Sequence, residues 1–304
     1  MQSKSSTFLT RHVKNLRGGS QPILAQASDG NFYVVKFTNN LQGANLCFNE
    51  SAGSELFRAL GLPVPVWKPL RVTDAFIDHN RACWIQTETG SLRPEPGLCF
   101  GSQYLGTEGL RLLEVLPGSS FSRVLNIKSF VLAWLIDIFA KHADNRQAIF
   151  IEDASRGLKA FFVDHGHLFG GPKGDLQPKS VASRYLDSRI YQGVCSQYLL
   201  SCQETAQKLD ADKLWQRIQA LPSEWKTASA LDEFAQCLSR FSVPSLIQST
   251  LDTMCDTQKK ADEKDLGKLQ DKRKSSAAVL RSRLQTAEYG CRFACKCAAH
   301  PAVA

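Results

Sequence analysis

Residues 161–166 read Phe161-Phe162-Val163-Asp164-His165-Gly166. The apolar run Phe161–Val163 has the character of a buried strand. It delivers one carboxylate, Asp164, into a glycine-containing turn. Twenty residues before it stands Asp144, within Lys141-His142-Ala143-Asp144-Asn145-Arg146-Gln147. A loop aspartate, a short hairpin and then a turn aspartate is the order that phosphoryl transfer from a metal–nucleotide complex needs. The first accepts the proton of an acceptor hydroxyl, and the second holds magnesium against the phosphates.

Working outward, Asp144 follows an apolar stretch, Lys128–Phe139, that predicts a buried helix, and precedes a predicted hairpin of Ala148–Ile151 and Lys159–Val163. A loop held between such rigid neighbours suits a general base. Arg146 is placed to neutralise charge on a transferred phosphoryl group. Gln147 or Asn145 offers an amide oxygen to the metal. The same residues also read as a polar turn between helix and strand. His165 and His167 flank Asp164, but their spacing matches no standard zinc site.

Toward the N-terminus the sequence alternates like strands. Val13–Leu16 leads to Gly18-Gly19-Ser20, then Pro22–Gln26, then the turn Ser28-Asp29-Gly30-Asn31, then Phe32–Phe37. This predicts a three-stranded antiparallel meander. Lys36 ends its third strand, after a Gly-rich turn whose backbone N–H groups could meet phosphate oxygens. Lys36 could instead face solvent from an edge strand. A helix follows over Leu46–Leu60, with an apolar stripe of Ala52, Leu56, Phe57 and Leu60, stopped by Gly61 and Pro63. It carries two acids that could orient Lys36. Glu50 lies about 95° from the stripe centre and Glu55 about 125°, so Glu50 is nearer the interior. Further strands are expected at Trp67–Val72, Ala82–Thr87 and Leu98–Tyr104, with turns at Asp78–Asn80 and Pro94–Gly97. From about residue 105 the pattern is helical, apart from the hairpin and the loop Gly170–Gly174.

The chain has 304 residues, 43% hydrophobic and 22% charged, enough for a substantial core in one large domain or two lobes. Net charge is +8, but half of that surplus lies in residues 256–283, with nine Lys/Arg against five Asp/Glu. One charged, solvent-facing tail helix accounts for it, so nucleic-acid binding is not expected. No apolar run is long enough for a transmembrane helix, and Met1–Ser6 lacks a signal-peptide core. A cytoplasmic location is expected. Most of the ten cysteines (Cys47, Cys83, Cys99, Cys195, Cys202, Cys237 and Cys255 among them) sit in apolar patterns as small buried hydrophobes. Cys291, Cys295, Cys297 and His300 could bind zinc or belong to an unstructured terminus.

Together these stretches resemble the HipA-like kinase family, in its compact bacterial branch lacking the usual partner-binding N-terminal extension. The resemblance rests on Gly18-Gly19-Ser20, Tyr33–Phe37, Asn49-Glu50 with Leu60–Pro65, Lys141–Phe150 and Phe162–Gly166. It spans about residues 10–200. It implies an α+β, bilobal protein-kinase-like fold: residues 1–104 an antiparallel β-sheet N-lobe with one helix, residues 105–255 a mainly helical C-lobe, residues 256–304 a charged tail. It further implies ATP between the lobes, Lys36 on the phosphates, Glu50 paired with Lys36, Asp144 as base and Asp164 as magnesium ligand. Cys99-Phe100-Gly101-Ser102 would form the strand beside the adenine. The acceptor would be a protein or small-molecule hydroxyl, with an antitoxin-like regulatory partner possible. In one respect the chain departs from the pattern. Kinases place a metal-binding Asn five residues after the base, and here that position is Ile149, so Gln147 would have to serve. That leaves room for a binding module that holds nucleotide without transferring phosphate.

Overall fold

The computed structural model describes residues 7–106, 111–152, 157–174, 184–192, 194–264 and 267. Met1–Met254 forms one compact unit and Cys255–Ala304 a second. The first carries every element labelled below. The protein is α+β, an antiparallel N-terminal sheet followed by a largely helical region.

Strands β1 (Leu9–Asn15), β2 (Ile23–Ala27) and β3 (Phe32–Lys36) form the expected meander. Helix α1 (Leu46–Ala59) follows, then β4 (Trp67–Val72). The end of α1 is set by Gly61. At φ 75° it adopts the left-handed conformation that a side chain disfavours. Its N–H bonds Arg58 O while Leu62 N–H bonds Phe57 O, which satisfies two terminal carbonyls before Pro63 closes the helix. A six-residue helix, α2 (Asp74–His79), and a 3-10 turn, Arg81–Cys83, occupy the region expected to hold a turn and the start of a strand. Thr73 caps α2 by accepting from Phe76 N–H. The predicted strand shrinks to β5 (Ile85–Thr87), which among the described residues pairs only with β6 (Gly90–Leu92). The sheet therefore carries two inserted helices rather than one.

Strand β7 (Gly97–Gln103) enters between β3 and β4, giving the order β1-β2-β3-β7-β4. A bridge between Phe8 and Arg71 brings the start of β1 onto β4. Because successive side chains alternate between faces, Tyr33, Val35 and Phe37 join Leu9, Ile23, Leu70 and Cys99 in a core on one face. Lys36 and its register partner Phe100 project from the other, toward α1.

The second half begins with β8 (Leu112–Leu113) and α3 (Ser129–Phe139). Strands β9 (Gln147–Glu152) and β10 (Leu158–Val163) form the expected hairpin, and β8 adds a third strand. Helix α3 is buried on nearly every side, and its Phe130 packs against Phe150, Phe162 and Tyr185. Helices α4 (Val194–Gln207), α5 (Ala211–Gln219) and α6 (Ala228–Phe241) follow. Residues 244–254 are helical, as are 255–264 in the second unit. The remainder of the charged 256–283 stretch, apart from Gly267, and the Cys291–His300 cluster lie outside the described residues. Cys47, Cys83, Cys99 and Cys237 are buried thiols and Cys202 is buried as well, as their apolar settings imply, while the Cys195 side chain lies outside the described residues. No helix among the described residues is long and apolar enough to cross a membrane.

Candidate functional site

Three elements far apart in sequence meet at one lysine. Lys36, at the end of β3 and 7% exposed, donates from Nζ to Glu50 Oε1 of α1 and, at 2.9 Å, to Asp164 Oδ1 beyond β10. Burial alone would lower the Lys36 pKa. Asp164 and Glu50 outweigh that effect and hold it above the ordinary lysine range. Burial pushes Glu50 above the usual carboxylate range, against the pull of Lys36. Lys36 draws Asp164 well below that range, so it is ionised at neutral pH. Glu50 and Asp164 thus share the one ammonium of Lys36, with Asp164 held as the carboxylate. The Asp164 side chain, 30% exposed, presents its carboxylate at an accessible edge.

The turn that carries Asp164 is held from two sides. Asp164 has φ 60°, a left-handed conformation costing about 1 kcal/mol for a residue with a Cβ. Ahead of it, Glu50 accepts from His165 N at 3.1 Å and Gly166 N at 2.9 Å. The adjacent Asn49 donates to Gly166 O at 2.9 Å and Leu168 O at 2.8 Å. Helix α1 approaches this closely through Gly53, where a Cβ would lie 2.5 Å from His165 Cβ and 2.7 Å from Leu168 Cδ1. From behind, Arg146 Nη1 donates to Val163 O at 3.0 Å and lies 3.2 Å from His165 Nδ1.

This placement corrects the expectation for Arg146. Its guanidinium is 1% exposed, forks onto the fully buried Asp137 of α3, and stacks over Phe57 at 4.8 Å. A buried carboxylate needs such a partner. Arg146 thus braces the turn from inside and presents no charge to a phosphoryl group. His165 is buried against Phe57 with ring centroids 4.6 Å apart, and burial holds its pKa well below the ordinary range. It is therefore neutral and turned into the core. No group of three or more His, Cys, Asp and Glu suited to a metal exists among the described residues.

The Asp144 loop is tied to the same turn at both ends. Ala143 N donates to His167 O at 3.0 Å, and Gln147 Nε2 donates to Asp164 Oδ2 at 2.7 Å. Between these ties Asp144 is exposed, and its Oδ1 accepts from Asn145 N at 2.7 Å. The loop is short because β9 already begins at Gln147. Ile149 is consequently paired with Phe161 inside the hairpin, while Gln147 touches Asp164.

The Gly-rich turn lies over this region by way of Gln42. A Cβ on Gly19 would come within 2.6 Å of Gln42 Nε2, which is itself 3.2 Å from His167 Nε2. Gly18 has φ 138° and Ser20 is buried. Phe100 and Gly101 of β7 lie beside Lys36 and Val35 of β3. Phe100 stacks on Trp67, and a Cβ on Gly101 would strike Leu70 at 2.2 Å.

Two contributors, Gln42 and Asp137, escaped sequence reasoning, and Asn49 entered it only beside Glu50 in the resemblance, without a role. Asn49 and Gln42 carry no periodic signal of their own. Asp137 does carry one, as a lone acid inside an otherwise apolar helix, which calls for a buried cation.

A magnesium ion suits the donors that this turn offers. Asp164 supplies an ionised carboxylate and Gln147 an amide oxygen once its side chain rotates. Magnesium is commonly held by one or two protein oxygens together with phosphates and water, without an all-protein cage.

No family model matches the chain, and no curated protein matches it. Among solved structures it is similar to a Golgi casein kinase, with 14% identity, TM-score 0.46 and coverage of 80% of this chain and 73% of that one. It is similar to the Golgi casein kinase with Mn/ADP bound, at 13% identity, TM-score 0.45 and coverage of 81% and 73%. It is also similar to the Helicobacter pylori proinflammatory kinase CtkA, at 12% identity, TM-score 0.45 and coverage of 81% and 96%.

Proposed function

We propose that this protein is an ATP- and Mg2+-dependent phosphotransferase with a bilobal kinase-like arrangement, of the HipA-like Ser/Thr protein kinase type. The observation that carries the reading is the single ammonium of Lys36 shared between Glu50 on α1 and Asp164 on the turn after β10. A lysine on the third strand, its helix-borne glutamate and a metal-binding aspartate are the parts that phosphoryl transfer assembles.

In this reading Lys36 grips the nucleotide phosphates while Glu50 fixes its direction. Asp164 and Gln147 hold Mg2+, which when bound neutralises charge on the phosphates. Asp144 hydrogen-bonds the acceptor hydroxyl and takes its proton as the oxygen attacks the terminal phosphorus, while the bond from that phosphorus to the bridging oxygen breaks and ADP leaves. Gly18, Gly19 and Ser20 cover the phosphates, and Phe100 and Gly101 flank the base. The acceptor hydroxyl belongs to a protein or a small molecule. Buried free thiols fit a reducing, cytoplasmic setting.

The test is incubation with labelled ATP and Mg2+. The parent chain should autophosphorylate or label an acceptor protein. Asp144→Ala should lose transfer by a factor of about 100 or more while nucleotide binding stays near the parent value. Full transfer by that variant would exclude the role given to Asp144. A second reading, a nucleotide-binding module without transfer, is favoured by Ile149, which sits in the hairpin where a metal-binding amide would be expected. Metal-dependent nucleotide binding with no transfer to any acceptor, and no hydrolysis, would favour it.

A further inference from the structure

Helix α1 is polar yet buried. Every residue from Leu46 to Phe57 is shielded, including Asn49, Glu50, Ser51, Ser54 and Glu55. A helix lying on a sheet ordinarily leaves one stripe to water. Here that stripe is covered by α5 and α6 of the same chain. Arg217 of α5 donates to Glu55 Oε2 at 3.0 Å, while Glu55 Oε1 accepts from Trp67 Nε1 of the sheet at 2.9 Å. Thr227, the N-cap of α6, donates to Asn45 Oδ1 at 2.7 Å, just ahead of α1. Phe234 of α6 packs edge-on against Phe48 of α1 and Phe169 beyond the Asp164 turn, with centroids 6.3 Å and 5.1 Å apart. Glu233, the residue before it, pairs with Lys141 of the Asp144 loop at 2.7 Å. One helical hairpin thus touches α1, the Asp164 turn and the Asp144 loop together.

We infer that α5 and α6 form a built-in clamp that holds α1 in its Lys36-engaged position. The site is thereby assembled without a partner protein, and Arg217 and Phe234 are positioning residues for Glu50. This rests on the phosphotransferase reading for its functional meaning, because α1 placement controls activity in kinases. The structural half stands without it. The face of α1 that a regulatory protein would have to grip is already occupied by the chain itself.

Amide hydrogen exchange on the full chain without nucleotide tests the clamp directly. In Arg217→Glu, a half-exposed change, amides of residues 46–59 and those of His165 and Gly166 should exchange about tenfold faster. Strand β2 should keep its parent rate. Phe234→Leu should act in the same direction, and Arg217→Glu carries the test if that variant fails to fold. An α1 that keeps its parent exchange rate in Arg217→Glu overturns the clamp, whether or not α5 itself loosens. Where the parent transfers phosphate, both variants should raise the KM for ATP more than they lower kcat. Absence of transfer by the parent would refute the phosphotransferase reading and leave the exchange result to decide the clamp.

Discussion

Removal of the Glu50 carboxylate should be the most damaging single change at the site that leaves Lys36 and Asp164 intact. In Glu50→Ala, two buried N–H groups, those of His165 and Gly166, lose their acceptor. Each orphaned donor costs about 1–3 kcal/mol. Lys36 loses one of two carboxylates, and breaking a buried ion pair costs about 3–5 kcal/mol when the remaining charge is uncompensated. Asp164 still compensates Lys36 at 2.9 Å, so the ion-pair cost falls below that range. The contributions share one side chain and do not add. A net loss of about 3–6 kcal/mol is expected, a large share of the roughly 5–15 kcal/mol of a typical native protein. Glu50→Gln keeps one oxygen for Lys36 and Gly166 but turns an amide N–H toward His165 N–H, and should cost about 1–3 kcal/mol. Urea denaturation should rank parent above Gln above Ala. Hydrogen exchange should show the amides of His165 and Gly166 losing protection first. Both variants within about 0.5 kcal/mol of the parent, with those amides still protected, would refute the view that Glu50 organises the turn.

Other perturbations separate the remaining roles. Asp164→Ala should abolish the Mg2+-dependent part of ATP binding, lowering affinity in the presence of the metal by at least about tenfold, or ~1.4 kcal/mol. Calorimetry with and without Mg2+ checks this, and an unchanged metal effect would contradict the assignment. Arg146→Met should cost about 3–5 kcal/mol by leaving Asp137 buried without a counter-ion, and Arg146→Met with Asp137→Leu should recover most of it. Denaturation of the two variants side by side measures the recovery. At the sheet surface, burial opposes ionisation of Asp29, but hydrogen bonds from Lys68, Tyr33 and Asn31 N–H outweigh it and pull its pKa down to about 2. Its folded value lies below the unfolded one. The resulting stability is present above about pH 4 and is lost as pH falls toward 2. Asp29→Asn should flatten that part of the acid limb in a pH series of thermal melts.

Much of this arrangement is legible in the residues themselves. The meander, α1, the α3 helix and the hairpin before Asp164 all follow from local alternation and periodicity, and their ends fall at glycine, proline or polar turns. Helix α2 is not legible, because six residues give no period and a Thr cap alone does not announce a helix. Strand β5 is short because α2 and a 3-10 turn consume the residues before it. On α1, the angular ranking picks Glu50 over Glu55 for Lys36, but it also leaves Glu55 toward solvent. In the structure both are buried, since α5 covers the second face from more than 150 residues away and Arg217 meets Glu55 there. Arg146 shows the same limit more sharply. Its position two residues after Asp144 suggests phosphate chemistry, whereas its partner, Asp137, sits on the preceding helix and draws it inward.

Gly53 has an effect out of proportion to its size. With only a hydrogen where other residues carry carbon, it lets the side chains of His165 and Leu168 press against the helix backbone. Glu50 stands one helical turn earlier on that side, so its grip on the neighbouring amides depends on how near the helix can settle. A single methyl at position 53 would act as a shim, prising the helix from the turn and stretching bonds that have only a few tenths of an ångström to spare. The fit between the two halves of the site is gauged by an atom that is not there.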